Sequence, residues 1–361
     1  MNKRMLEQDI AKGIAILMVI ALHCLTIEKK YYMIMAGLVG FLMPFFFFMS
    51  GYNYRPGKRS FKENVIKRTK QVVPPFLIYL TVILFIAGIY YVSTNQYTVK
   101  DVFNVYLRYL LTKPLFDLTG LEIVHEISNC VMIFWFVQTF YVGSIVFFAV
   151  ADRCLKNKWT FVSYMFGLIG ITMMLAHFNI KLPFYLSEAP TIAAMMLLGA
   201  YCGQNKLLED NGNKKWIIIN SIISYLSYVI LAYIFKGEGL LAGGILWKDG
   251  LKEWGVPLTV LFSLLGSYPF VHFCRLFTKT KYLGSFLAWF GENSMYLLFI
   301  HQLIQLFVCA VLGITPFRMS LHSEINDLRT VFVYILVVLF SSLFVIIRDR
   351  CIKQINKKRI N

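Results

Sequence analysis

The chain has 361 residues, of which 58% are hydrophobic and only 15% charged, and its mean hydropathy is +0.63. Soluble domains carry about 25% charged residues, so this composition excludes an ordinary soluble protein. The formal net charge is +17, which on a soluble surface would suggest a nucleic-acid partner.

Ten apolar stretches follow one another along the chain, and together they have room for about ten helices across a bilayer. We therefore predict an all-α, polytopic integral membrane protein made of one domain, 1–361, without a separate soluble domain. An even number of spans places both termini on the same side. The predicted spans are 10–27, 33–50, 72–92, 127–150, 159–178, 189–203, 216–235, 256–273, 286–314 and 331–347.

The positive charge is distributed unevenly between the two sides of this arrangement. Most Lys and Arg residues fall in segments on the side of the N-terminus, and the loop 51–71 is especially basic. Cytoplasmic segments of membrane proteins are rich in these residues, so both termini are predicted to be cytoplasmic. The loop is interpreted as an ordinary anchor at the inner membrane surface. Topology explains the charge excess, and no nucleic-acid partner is expected.

The seven cysteines are scattered, without spacings typical of a disulfide framework or a zinc site, so no metal is predicted. The start of the chain, MNKRMLEQDIAKGIAILMVIALHCL, contains two acids and no small-residue cleavage site follows it. We expect it to remain attached as the first span rather than to be removed as a signal peptide.

The first span carries two polar residues on one stripe. Lys12 and His23 are eleven residues apart, which at about 100° per residue brings them within about 20° of each other around the helix and about 16 Å apart along it. Polar side chains at membrane depth are costly and default to functional hypotheses. The alternatives are a snorkelling anchor for Lys12, paired with Asp9, and an interhelical hydrogen bond for His23.

A group that orients the His23 ring must come from outside the first helix, since no carboxylate lies within one turn of it. The ninth span contains a second histidine, His301, which shares a helix face with Ser294 seven residues earlier. Substrate contact and structural hydrogen bonding are both open for His301. The acids available in the outer loop between the third and fourth spans are Asp101, Asp117, Glu122 and Glu126.

Five stretches of the chain form a recognisable set: DIAKGIAILMVIALH at 9–23, MPFFFFMSGY at 43–52, FKENVIKRTKQVVPP at 61–75, WFV at 135–137 and GENSMYLLFIH at 291–301. With these stretches the chain resembles the acyltransferase-3 family of membrane O-acyltransferases, particularly the branch related to bacterial sugar O-acetylases. Their order and spacing, with the ten-span layout, extend the resemblance over the full length. The first three are fairly specific together, whereas the last two are weak alone.

The resemblance implies roles for individual residues. In the family, a basic residue is followed, after ten intervening positions, by a catalytic histidine, and this pattern falls on Lys12 and His23. Arg is the commoner basic residue, and Lys differs from it because an ammonium cannot bind a phosphate through two parallel hydrogen bonds. The family also has two arginines three apart before a proline. Arg68 matches the first and Gln71 stands at the second, so Lys70 is expected to substitute. Lys12, Arg68 and Lys70 are thus implied contacts for an acyl-CoA donor.

The implied reaction moves an acyl group, typically acetyl, from cytoplasmic acyl-CoA to a hydroxyl of an extracytoplasmic or lipid-linked glycan or sugar acceptor. His23 would act as the general base, and a transient acyl-imidazole is the alternative. Acyl-CoA enters as a co-substrate, and no permanently bound cofactor is expected. Further candidates for the substrate pocket are Asp9, Ser50, Glu126, Trp135, Ser294 and His301.

Family likeness also implies a multi-pass protein of the bacterial plasma membrane that modifies cell-surface polysaccharide. Many relatives have an extra domain for the acceptor, whereas this chain ends soon after its last span, so we expect the outer loops or a separate protein to handle the acceptor. The alternative function is a secondary transporter or flippase that uses the intramembrane His and Lys. A purely structural membrane protein comes third, because the shared stripe of Lys12 and His23 would then be coincidence.

Overall fold

The structure is a computed structural model that describes residues 6–25, 39–93, 98–111, 134–180, 182–209, 213–234, 252–313 and 327–360. These residues form twelve α-helices and three short 3₁₀ segments, and no strand occurs within them. The all-α prediction is therefore confirmed for the described part of the chain.

Each of the ten predicted spans overlaps at least one helix. The ninth span, 286–314, is divided between two helices, Lys281–Glu292 and Ser294–Val311. The helices are α1 Leu6–Cys24, α2 Leu42–Tyr52, α3 Phe61–Ser93, α4 Val99–Leu111, α5 Phe134–Cys154, α6 Lys158–His177, α7 Ala189–Gln204, α8 Lys214–Ile234, α9 Gly255–Cys274, α10 Lys281–Glu292, α11 Ser294–Val311 and α12 Asp327–Ile360.

Six helical stretches of the described residues are long and apolar enough to cross a membrane, and the helices α2 and α11 contain shorter apolar stretches. Helix α1 has three charged residues within its 19 positions, and α7 has only 16 residues, so neither belongs to the six. Multi-pass membrane character is confirmed, whereas the count of ten and the cytoplasmic termini stay predictions. The six stretches are Phe61–Ile86, Trp135–Cys154, Lys158–His177, Lys214–Ile234, Gly255–Lys279 and Leu328–Cys351.

The chain divides into two compact units. The terminal unit consists of Met1–Lys29 and Cys274–Asn361, and it contains α1, α10, α11 and α12. The central unit is Lys30–Phe273 and contains α2 to α9. The expectation of one domain stays a prediction.

In the terminal unit, α1 and α10 pack with their backbones in direct contact. A Cβ atom at Gly13 would overlap the carbonyl of Leu287, and one at Gly291 would overlap the carbonyl of Asp9. Only glycine allows two helices to approach this closely. This contact fixes the N-terminal half of α1, which carries Asp9 and Lys12, against α10.

Asn293 marks the break between α10 and α11. Its Nδ2 donates to the carbonyl of Trp289 at 3.0 Å, and its Oδ1 accepts from Arg348 Nη2 of α12 at 3.3 Å. An Asn side chain that bonds to nearby backbone competes with helix continuation, which explains the break. The guanidinium of Arg348 also lies over the Tyr296 ring, 3.3 Å from its centroid. Helix α11 therefore starts from a position fixed by α12.

In the central unit, the phenylalanine run of α2 is mainly packing surface. Phe45, Phe47 and Phe48 are buried, and the ring of Phe47 stacks on that of Phe136 of α5 at 4.9 Å between centroids. On another side, α2 lies against α7, where a Cβ atom at Gly199 would overlap the carbonyl of Phe48. Helix α2 is thus held between α5 and α7, which fixes the position of Ser50 near its end.

Candidate functional site

Two histidine rings lie side by side in the terminal unit. His23 is in the last turn of α1 and His301 is in α11, and their ring centroids are 5.3 Å apart with planes inclined by 41°. His301 is fully buried and His23 is half-buried. The sequence places these residues 278 positions apart in different spans, so their contact comes from the tertiary packing of α1 and α11.

The His301 ring is fixed in one tautomer. Its Nδ1 lies 3.0 Å from the carbonyl oxygen of Leu297, one turn earlier in α11. A carbonyl oxygen only accepts, so Nδ1 carries the hydrogen and Nε2 of the neutral ring carries the lone pair. That Nε2 is buried and has no hydrogen-bond partner among the described residues. A buried acceptor without a donor is a site for a proton-bearing group.

Gln305 fixes the backbone at the end of α1. Its Nε2 donates to the carbonyl oxygen of His23 at 2.8 Å, which satisfies a carbonyl that lies in the last turn of α1. Gln305 lies one turn after His301, so α11 presents both residues on one face. Sequence reasoning did not select Gln305, although a glutamine four residues after an intramembrane histidine is the signal that would have found it. The neighbouring Gln302 is buried too, and its Oε1 has no partner in the described residues.

Lys12 and Asp9 form an ion pair with 2.7 Å between Nζ and Oδ1. The Asp9 side chain is 4% exposed and that of Lys12 is 21% exposed. The pairing that the sequence offered as the anchoring interpretation of Lys12 is therefore present. The ion pair uses one of the three N–H groups of the Lys12 ammonium and leaves the side chain partly accessible. The interpretation that Lys12 binds the acyl-CoA therefore also stays open.

Arg68 and Ser50, two predicted site residues, meet in the central unit. Arg68 Nη2 donates to Ser50 Oγ at 3.1 Å. The guanidinium lies over the ring of Phe140, 4.4 Å from its centroid, and 5.6 Å from that of Phe148. Among the described residues, Arg68 makes no ion pair with a carboxylate. Aromatic stacking orients a guanidinium without neutralising it, so the positive charge of Arg68 stays available to bind an anion.

The other predicted site residues take no part in these contacts. Lys70 is exposed and, two residues after Arg68, points to a different side of α3. Trp135 is half-buried at the start of α5, with its ring edge-on to that of Phe136. Ser294 is half-buried at the start of α11. Glu126 lies outside the described residues.

The basic loop after α2 is attached to the end of α5, a feature that the sequence did not reveal. Tyr54 Oη donates to Asp152 Oδ1 at 2.8 Å, and the backbone N–H of Gly57 donates to the same oxygen at 3.1 Å. Burial, followed by the Asp152 hydrogen bond, raises the pKa of Tyr54 well above its ordinary value. Gly57 has a φ of +70°, which glycine adopts without strain.

The described residues contain no group of three His, Cys, Asp or Glu side chains arranged to hold a metal ion. The groups on which the proposals below rest are the buried imidazole of His301, the half-buried imidazole of His23 and the half-buried, stacked guanidinium of Arg68.

Comparison with known proteins identifies one family. Residues 6–347 match the family model described as an acyltransferase domain, that of acyltransferase-3. The match runs from the first residue of α1 into α12 and so includes His23, Arg68 and His301. Neither a curated protein nor a solved structure shows significant similarity to the chain.

Proposed function

The chain belongs to the acyltransferase-3 family of membrane acyltransferases, and we propose that it moves an acetyl group from cytoplasmic acetyl-CoA to a hydroxyl of a glycan or other sugar acceptor. The acceptor is extracytoplasmic or lipid-linked. The observation that carries this proposal is the pair of imidazoles at 5.3 Å, with His301 buried and its Nε2 free among the described residues. The resemblance to sugar O-acetylases supports the acetyl group and the sugar.

His23 is the proposed general base. It removes the proton of the acceptor hydroxyl while the oxygen attacks the thioester carbonyl, so that the C–O bond forms and the C–S bond breaks. The proton then passes from the imidazolium of His23 to the leaving CoA sulfur. The products are the acetyl ester and free CoA thiol, and the imidazole returns to its starting state. Imidazole suits this role because it gains and loses a proton near neutral pH.

Arg68 is the proposed contact for a phosphate of the donor. Its guanidinium is oriented by Ser50 and Phe140 and is not neutralised by a described carboxylate. Guanidinium and phosphate form short, charge-assisted hydrogen bonds that are stronger than neutral ones. Two further contacts with the acyl-CoA are proposed on the basis of the family pattern, Lys12 and the exposed Lys70. The Lys12 ammonium has N–H groups beyond the one that it uses in its ion pair with Asp9.

We propose that the protein lies in the bacterial plasma membrane, which the resemblance to bacterial sugar O-acetylases implies. The distribution of Lys and Arg supports an orientation with both termini in the cytoplasm. In this orientation the basic loop that Asp152 holds faces the cytoplasm. The acceptor would then be handled on the opposite side, by the outer loops or by a separate protein.

The test is label transfer from radiolabelled acetyl-CoA to a panel of sugar acceptors by the purified protein in lipid nanodiscs. His23→Ala is expected to lower the rate about 10²- to 10⁴-fold, the usual contribution of general base catalysis. His177→Ala is the matched control, since His177 is an exposed histidine paired with Glu253 in the central unit. Label transfer that His23→Ala leaves intact would remove His23 from the reaction. Acceptor movement without thioester consumption would favour the transporter or flippase.

A further inference from the structure

An imidazole that acts as a base needs a partner for its second ring nitrogen. In enzymes that use this chemistry, a fixed acceptor holds that N–H, so the lone pair of the other nitrogen faces the hydroxyl to be deprotonated. Among the described residues, no carboxylate pairs with His23 and none lies within one turn of it on α1. A titratable ring that does lie beside His23 is that of His301, with 5.3 Å between the ring centroids.

We propose that His301 is the positioning residue for His23: its Nε2 accepts a hydrogen bond from a ring N–H of His23 and so selects the tautomer in which the other His23 nitrogen is free to act as the base. This rests on the proposed function of His23. The role differs from the two that the sequence left open, which were contact with substrate and a purely structural bond.

The first support is the state of His301 itself. Because its Nδ1 hydrogen is used by the Leu297 carbonyl at 3.0 Å, the ring cannot offer a second hydrogen without becoming charged. Its Nε2 is then an acceptor, and it is buried without a partner among the described residues. An acceptor in this state costs free energy unless a donor reaches it, and the ring of His23, 5.3 Å away between centroids, can supply that donor.

The second support is the distance between the rings. Two imidazoles with centroids 5.3 Å apart bring facing nitrogens to about 3 Å, the length of a hydrogen bond. The ring planes are inclined by 41°, so the rings are neither stacked face to face nor perpendicular. In the conformation of the structure His301 Nε2 has no partner among the described residues, so the proposed bond requires the half-buried His23 side chain to rotate toward it.

The third support is the bond from Gln305 to the His23 carbonyl at 2.8 Å. His301 and Gln305 lie one turn apart on α11, so one helix face holds the backbone of His23 and lies against its ring. When two groups of a rigid helix hold the same residue, its side chain keeps one orientation through the reaction.

The proposed bond leaves the proton balance of the reaction unchanged. When His23 takes the hydroxyl proton, both of its nitrogens carry hydrogen, and His301 Nε2 continues to accept from one of them. His301 stays neutral throughout, and its dipole stabilises the imidazolium of His23 until the proton passes to the CoA sulfur.

The test compares His301→Phe with His301→Gln. Phe keeps an aromatic ring but has no acceptor, whereas Gln keeps an amide oxygen that can accept from His23. We expect His301→Phe to lower kcat roughly 10²-fold with little change in the KM for the acceptor, and His301→Gln to recover part of that loss. A rise in KM at unchanged kcat would assign His301 to substrate contact and overturn the proposal. Equal losses in both variants would also overturn it.

A second measurement needs no turnover and so separates this proposal from the proposed function. Nitrogen-15 NMR of histidine-labelled protein reports which ring nitrogen carries the hydrogen, and the His23 signals are assigned by their loss in His23→Ala. We expect one tautomer of His23 in the wild type and a mixture in His301→Phe. A His23 spectrum that His301→Phe leaves unchanged would show that His301 does not select the tautomer, whether or not the protein transfers acetyl groups.

Discussion

The Arg68 guanidinium donates a hydrogen bond to Ser50 Oγ at 3.1 Å, and the two side chains come from consecutive helices of the central unit. The stacked rings beneath the guanidinium orient it further. Arg68 is therefore pre-organised to meet an anion, since the side-chain entropy lost on binding is already reduced.

The affinity for acetyl-CoA should depend on the orientation of Arg68 by Ser50 and the stacked rings. Arg68→Ala is expected to weaken the binding of acetyl-CoA about 10-fold or more, because a charge-assisted hydrogen bond is lost. Ser50→Ala should have a smaller effect in the same direction, since it only loosens the guanidinium. The measurement is isothermal titration of the detergent-purified protein with CoA. Lys158→Ala, which removes an exposed cation of α6, is the control; a loss as large as that in Arg68→Ala would show a general charge effect instead.

The Asp9–Lys12 pair allows anchoring and donor binding to be distinguished. Lys12→Ala removes the Lys12 ammonium from the buried Asp9 carboxylate and should lower the unfolding free energy by up to about 3 kcal/mol. Adding Asp9→Asn removes the buried carboxylate charge and should restore part of the stability. If Lys12 contacts the donor, CoA affinity stays low in the double variant. Thermal unfolding and CoA titration of the single and double variants test this, and affinity that recovers together with stability would leave Lys12 as an anchor only.

The close contact of α1 with α10 predicts a strong asymmetry between two glycine substitutions. Gly13→Ala places a methyl group against the Leu287 carbonyl and should cost about 1 to 3 kcal/mol of stability, because neither backbone can move away easily. Gly167→Ala in α6 meets no atom within 4 Å and should be neutral or stabilising by up to about 1 kcal/mol, since Ala favours the helix. Thermal unfolding in the same detergent compares them. Equal stability of the two variants would contradict the contact.

The attachment of the basic loop to Asp152 predicts its protection from protease. Asp152→Ala removes the acceptor of both Tyr54 and Gly57 and should speed trypsin cleavage after Lys58 and Arg59. Tyr54→Phe should have a smaller effect, because the Gly57 hydrogen bond is retained. Limited proteolysis followed by mass spectrometry locates the cuts. Unchanged cleavage in Asp152→Ala would show that the attachment does not hold the loop.

Hydrophobic patterning predicted the helices well, because each apolar stretch is long and its sequence is locally consistent with helix. It also placed Lys12, Asp9 and His23 on one helix, where spacing alone decides geometry. The break at Asn293 was missed, since it depends on side-chain bonds to Trp289 and Arg348 that a hydropathy pattern does not contain.

The contacts between helices within each unit could not be predicted from the sequence. Nothing in the spacing of His23 and His301 shows that α1 and α11 bring their rings to 5.3 Å, because interhelical distance depends on packing. The same holds for Ser50 and Arg68, which were chosen separately and meet in the structure. Single residues, and a pair on one helix such as Asp9 and Lys12, could be selected from the sequence, whereas partners on other helices required coordinates.

The most direct test of the central claim is a count of products in single-turnover reactions with saturating acetyl-CoA and acceptor. If His23 is the base, the wild-type protein releases one CoA thiol for each acetylated acceptor, and His23→Ala produces neither on the same timescale. Acetylated acceptor formed at the wild-type rate by His23→Ala would contradict the account, as would acceptor movement across the bilayer by wild-type protein without any release of CoA.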